Sequence, residues 1–287
     1  MGFFNKKRSD GVFVRSREAF SMMMPFLMPT RTESLVYYKM SLDITKTRAF
    51  IQKARSEGQN YSLFNIIAAA TVRVLNDFPR SNRFIAGMRL YQRNNIELCY
   101  AVKRDMDVDA EETVVKLKFD PKGSLNEIAD KMNEENSDKR EGAKGSDDKL
   151  VVFFQHFPRF IMHFIVWALR RLDYNGMMPR YFLNAIPFNC SVFIANLGSL
   201  GMHAPLHHLY EFGNCPIFLT IGRIEKVTQH SPAGAPVRKM VIDVGFSIDE
   251  RIVDGFYLSR VIAAFTRMVE DPSLIDAALL KVEREEA

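Results

Sequence analysis

Two clusters of side chains in this chain could do acid–base chemistry. The first is Asp249-Glu250-Arg251-Ile252-Val253-Asp254-Gly255, with three carboxylates and a guanidinium close together. A carboxylate can serve as a general base if its surroundings raise its pKa toward that of the group it deprotonates. Glu250 is the candidate, set against the plainer reading of a structural or solvated carboxylate beside Arg251. The second cluster is His203, His207 and His208, just after Gly201. His203 and His207 stand four apart, the spacing that aligns side chains on a helix, but Pro205 between them disfavours a helix there. No cysteine or carboxylate completes a zinc pattern, so no metal is expected. His207 and His208 remain as substitute bases, and Ser199 as a hydroxyl donor. No phosphate-binding glycine loop, dinucleotide fingerprint or G-x-S-x-G elbow occurs.

These residues need a scaffold, and the chain can build one. Its 287 residues are 47% hydrophobic and 25% charged, which suits a globular α/β protein with a substantial core. The net charge of +5 is spread out rather than striped, so nucleic acid is not an expected partner. Cys99, Cys190 and Cys215 form neither a pairable set nor a C-x-x-C. Reduced thiols and a cytoplasmic location are expected, with no apolar leader segment.

Residues 1–30 read as an irregular N-terminal arm, and 31–287 as one domain. Alternation predicts a strand over 34–44. A helix follows to Glu57, and another runs from Ser62 to Asp77-Phe78-Pro79. Short strands are expected near 84–91 and 96–103, a surface helix over Asn126–Glu135, and a flexible loop over 141–148. An apolar helical insertion lies at about 150–188. Its Phe160–Leu169 stretch is too short to span a bilayer and reads first as a helix packed in a core or subunit interface. His163 would then be a core or interface histidine. A membrane-surface helix flanked by arginines, Phe160–Arg171, is the less favoured reading. Strands are expected at 191–197, 216–224 and 237–248, with a turn-rich hairpin over 226–236. A helix from Gly255 to about Glu270 is expected to end at Asp271-Pro272, and a last helix to run over 273–284. Strands and helices do not alternate regularly, which favours a sandwich over a doubly wound sheet.

Several segments, in order, resemble the catalytic domain of the 2-oxo-acid dehydrogenase (dihydrolipoamide) acyltransferases. Ser62–Asn82 is similar to that family's helix ending in F-P-x-x-N, and Ile96–Val102 to its next strand. Phe193-Ile194-Ala195-Asn196-Leu197-Gly198-Ser199-Leu200-Gly201 resembles T-I-S-N-L-G-x-x-G. Ile217–Gly222 resembles the strand that follows, and Asp249–Gly255 the D-H-R-x-x-D-G signature. The match covers roughly residues 35–275, interrupted by the insertion. It implies a chloramphenicol acetyltransferase-like two-layer sandwich with a mixed β-sheet, assembled as a homotrimer with active sites between subunits. It also implies a stand-alone catalytic domain with no lipoyl module, and CoA or acyl-CoA as ligand.

In the family, the histidine of the signature is the general base and the serine of T-I-S-N-L-G stabilises the oxyanion. Here those positions are Glu250 and Ala195. A carboxylate near pKa 4.3 is a poor base for a thiol near 8.5, a gap of roughly four units or on the order of 5–6 kcal/mol. Losing an oxyanion donor typically costs about 100- to 1000-fold in rate. Asp254 and Gly255 are kept, and the family implies that this aspartate supports the active-site loop through charge pairing while the glycine opens a helix. Asn196, Gly198 and Gly201 would serve a strand end and a tight turn. The resemblance therefore implies a relative with lost or altered catalysis, acting as a structural or (acyl-)CoA-binding protein. An active acyl-CoA-dependent transferase using Glu250 or a nearby histidine is the alternative.

Overall fold

The structure, a computed structural model, describes residues 8–15, 19–103, 112–140, 157–230 and 234–276. Elements run β1 (Gly11–Phe13), α1 (Ala19–Leu27), β2 (Leu35–Asp43), α2 (Thr45–Ser56), α3 (Leu63–Asp77), β3 (Arg83–Ala86), β4 (Arg89–Arg93), β5 (Ile96–Lys103) and β6 (Glu112–Phe119). They continue with α4 (Leu125–Arg140), α5 (Arg159–Tyr174), α6 (Arg180–Ala185), β7 (Val192–Asn196), β8 (Ile217–His230), β9 (Pro236–Asp249) and α7 (Gly255–Glu270). Six strands form one mixed sheet in the order β2-β9-β8-β7-β5-β6, in which only β5–β7 and β7–β8 are parallel. A small sheet, β1-β4-β3, stands beside it.

Alternation along the strands sorts the large sheet into two faces. Leu98, Ile194, Leu219, Val244 and Leu42 point toward α2, α3, α4 and α7 and form the main core. α3 is the deepest helix, with Ile66 through Ala70 wholly buried. Each such isoleucine contributes roughly 1.5–3 kcal/mol of burial. Ser62 caps α3 by accepting from the Asn65 N–H at 3.1 Å, and the Asn65 side chain answers the Ser62 N–H at 2.8 Å. This reciprocal pair fixes where the helix begins. On the other face Cys99, Phe193 and Phe218 gather beneath Leu209, Tyr210 and Cys215.

The helices at 45–56, 63–77 and 255–270 and the strands at 35–43 and 192–196 fall where the sequence places them. Other expectations need correction. The N-terminal arm is not irregular, since β1 pairs with β4 and α1 is a helix. The strand β6 was not expected; it pairs antiparallel along β5 and forms an edge of the large sheet. The hairpin expected over 226–236 is present, but its strands are longer than expected, with β8 and β9 paired antiparallel out to His230 and Pro236. Only a short 3-10 turn, Pro272–Leu274, occupies the start of the expected last helix, and residues from 277 on lie outside the described residues. The loop at 141–148 also lies outside them.

The expectation for α5 is a helix packed in a core or a subunit interface. It forms as expected, but within the chain it is not a core helix. Leu169 is its one buried residue, packed with Met178 and Leu183. Phe160, Phe164 and Trp167 are 72%, 64% and 61% exposed, and His163 is exposed as well. An apolar run carries no information about which side of it meets the body. No described helix is long and apolar enough to cross a membrane.

Candidate functional site

The Asp249–Gly255 segment begins where β9 ends. Asp249 is 1% exposed, and both its carboxylate oxygens accept from Arg251, at 2.8 Å from Nε and 2.6 Å from Nη2. Arg251 also donates to the Met28 carbonyl at 2.7 Å, tying the segment to the N-terminal arm. This pair is closed upon itself. Glu250 between them points the other way and is exposed, with its backbone N–H on the Ser34 carbonyl at 2.9 Å. Arg251 therefore serves Asp249 rather than Glu250. Asp254 does not act by charge pairing either. Its side chain accepts from the Tyr257 N–H at 2.8 Å and caps α7, and it forms no ion pair among the described residues. Gly255 opens that helix, as expected.

Ala195 lies on β7 with its methyl on the outer face, beside the Phe193–Phe218 cluster. Its in-register neighbour on β8 is Thr220, whose hydroxyl donates to the Pro205 carbonyl at 2.6 Å. Ser199 is in the turn after β7 and donates to the Asn196 carbonyl at 2.8 Å. Ser191 is buried, accepting from the Glu97 N–H at 3.0 Å. Each nearby hydroxyl is committed to backbone. Gly198 is required by close approach, since a Cβ there would stand 2.2 Å from the Gly222 carbonyl oxygen.

Ala195, Thr220 and Gly245 stand abreast on β7, β8 and β9, and Glu250 lies five residues farther along. At about 3.3 Å per residue and 4.8 Å between strands, Ala195 and Glu250 of one chain are roughly 19 Å apart. The fold does not bring the two positions together within a single copy.

The three histidines separate. His207 lies flat on Phe218, ring centroids 4.0 Å apart, with its Nδ1 2.6 Å from the His208 carbonyl. Burial pushes its pKa below the ordinary value, outweighing that hydrogen bond. His208 stacks on His207 and is exposed. His203 is the one with carboxylate partners. Its Nδ1 is 3.2 Å from Asp243 and its Nε2 is 3.7 Å from Glu225. Asp243 also accepts from Ser41 at 2.9 Å and pairs with Lys39 at 3.5 Å. Burial alone would raise the Asp243 pKa, but Ser41, His203 and Lys39 hold it below the usual carboxylate range. The sequence reading missed this imidazole–carboxylate contact, because Asp243 is forty residues away and meets His203 only where the segment after Gly201 lies over Gly222 of β8.

Solved structures share this arrangement of elements. A probable dihydrolipoamide acetyltransferase from Listeria monocytogenes superposes with a TM-score of 0.59 at 16% identity, covering 93% of this chain and 97% of that one. The fold is shared with the dihydrolipoamide acyltransferase cores. A dihydrolipoamide acetyltransferase from Azotobacter vinelandii gives 0.59 at 16% identity over 92% and 94% of the two chains. A truncated catalytic core of the 2-oxoacid dehydrogenase multienzyme complex from Thermoplasma acidophilum gives 0.55 at 15%, over 90% and 98%. No protein-family model matches the chain, and no curated protein matches it in sequence. Identities this low establish the acyltransferase-core fold and leave the chemistry to the residues.

Among the described residues, no group of three or more His, Cys, Asp or Glu is arranged to hold a metal ion. The three cysteines are free, buried and gathered into one cluster, a convergence that their spacing did not reveal.

Proposed function

We propose that this chain is an acyltransferase-core relative that binds CoA or an acyl-CoA thioester without the histidine–serine acyl transfer of the family it resembles. It would act in the cytoplasm as a homotrimer, so that Glu250 of one copy approaches Ala195 of another. The carrying observation is at Ala195: a methyl stands at the oxyanion position, and the adjacent Thr220 hydroxyl is already donated to the Pro205 carbonyl. Glu250 adds to this as an exposed carboxylate that forms no ion pair among the described residues. The test is thiol exchange with acetyl-CoA, run on the native chain, on Glu250→Gln, and on Glu250→His combined with Ala195→Ser. The proposal expects CoA binding in all three and turnover only in the double variant. Native turnover that disappears in Glu250→Gln would refute it.

A second reading rests on His203. The Asp243 contact orients its imidazole as general bases are commonly oriented. On this reading the chain is an active acyl-CoA-dependent transferase, and His203→Gln abolishes native turnover while Glu250→Gln does not.

A further inference from the structure

A cleft of about 580 Å³ opens on the side of the molecule where the insertion meets the N-terminal arm. It contains neither Glu250 nor Ala195. One wall is the end of α5 (Arg170, Asp173, Tyr174). Thr30–Thr32, the β3–β4 turn and Glu211–Gly213 form the others, and Arg251 closes the floor. The turn is locked to the insertion, since a Cβ at Gly87 (φ 56°) would stand 2.0 Å from the Tyr174 carbonyl oxygen. Its size lies in the range of small-molecule sites.

The charges in this cleft do not close among themselves. Both carboxylates on the wall are occupied. Asp173 accepts from Arg8 at 2.7 Å. Glu211 accepts from the Thr32 N–H and hydroxyl, each at 2.9 Å, and from the Arg31 N–H at 3.3 Å. Asp249, the nearest further carboxylate, is held bidentately by Arg251. The Arg31 guanidinium is left with carbonyls only: Glu211 at 3.2 Å, Ile85 at 3.3 Å and Tyr210 at 3.4 Å. It is 8% exposed and forms no ion pair among the described residues. Burial pushes its pKa below the ordinary arginine value despite the more distant pull of Asp249, Glu211 and Asp173, none of whose carboxylates it contacts through the guanidinium. A buried guanidinium without a carboxylate is costly unless something else neutralises it. Arg170 adds an exposed guanidinium at the rim, and Ile85, Met88, Met178 and Phe212 supply apolar surface.

We infer that this cleft is a binding site for a small monocarboxylate with an apolar body, its carboxylate held between Arg31 and Arg170 and its chain against Met88, Met178 and Phe212. The lining leaves one positive charge uncompensated, which matches a monoanion better than a phosphate dianion. A planar carboxylate also fits the guanidinium fork.

Calorimetric titration of the full chain tests this, with sodium octanoate as probe, octan-1-ol as the uncharged control and inorganic phosphate as the competing anion. Octanoate should bind saturably at one site per chain, at least tenfold tighter than octanol or phosphate. Arg170→Glu, an exposed substitution, should weaken octanoate at least tenfold with unchanged circular dichroism. Arg31→Gln should abolish binding if it folds, and if it does not, Arg170→Glu decides. Absent saturation, equal affinity for octanol, tighter binding of phosphate, or indifference to Arg170→Glu would each overturn the assignment.

Discussion

Asp243 and Asp249 lie on the same strand and the same face of the sheet, yet they belong to different kinds of site. Asp249 is sealed against Arg251 at the end of β9. Asp243 is shared among Ser41, Lys39 and His203, where solvent reaches it. The difference lies in what covers them. The N-terminal arm folds over Asp249 through the Arg251–Met28 bond, whereas Asp243 has only the partly open segment after Gly201 above it. Water exclusion makes one carboxylate a structural element and leaves the other available for chemistry.

The sharpest way to break this comparison is Arg251→Met. It strands Asp249 as a buried, unpaired charge and should cost about 3–5 kcal/mol in urea unfolding. Asp249→Asn in the same background should recover much of the loss. Asp254→Ala removes the cap of α7 and should cost about 1 kcal/mol in the same assay. Charged Asp243 is favoured in the folded state, so its contribution is present above its ordinary pKa of 3.8 and is lost as pH falls through its lower folded value. Asp243→Asn should therefore flatten the acid limb of a stability–pH curve below about pH 4. Neutral His207 is likewise favoured by folding. Its contribution is present above the ordinary 6.5 and fades as pH falls below it. His207→Phe should remove that slope below about pH 6.5 in thermal melts. Glu250→Gln should be the mildest change, within about 0.5 kcal/mol of the parent. A larger effect would place Glu250 with Asp249 rather than with the exposed carboxylates.

Much of the scaffold was legible in the residues. Ser62 with Asn65, the Phe78-Pro79 stop and the Asp254-Gly255 start each act within a few positions, and each falls at an observed helix end. The alternating apolar residues Ile242, Val244, Phe246 and Ile248 of β9 likewise fall on the side of the sheet that meets the main core. The site was less legible. Glu250 and Ala195 could be named from the resemblance, but the capping of α7 by Asp254 was not, because capping a helix and supporting a loop call for the same residue type. α5 was read as a helix packed in a core or a subunit interface, and within the chain only its Leu169 is buried.

By itself the sequence determined the order and type of the main elements, because caps, breakers and side-chain alternation are short-range effects. Only the tertiary structure decided that His203 meets Asp243, that Arg251 turns to Asp249 and away from Glu250, and that Arg31 is buried in a cleft with no carboxylate of its own. Those outcomes depend on strand register and on which loop covers which face. They join residues tens to hundreds of positions apart, where no local pattern carries the information.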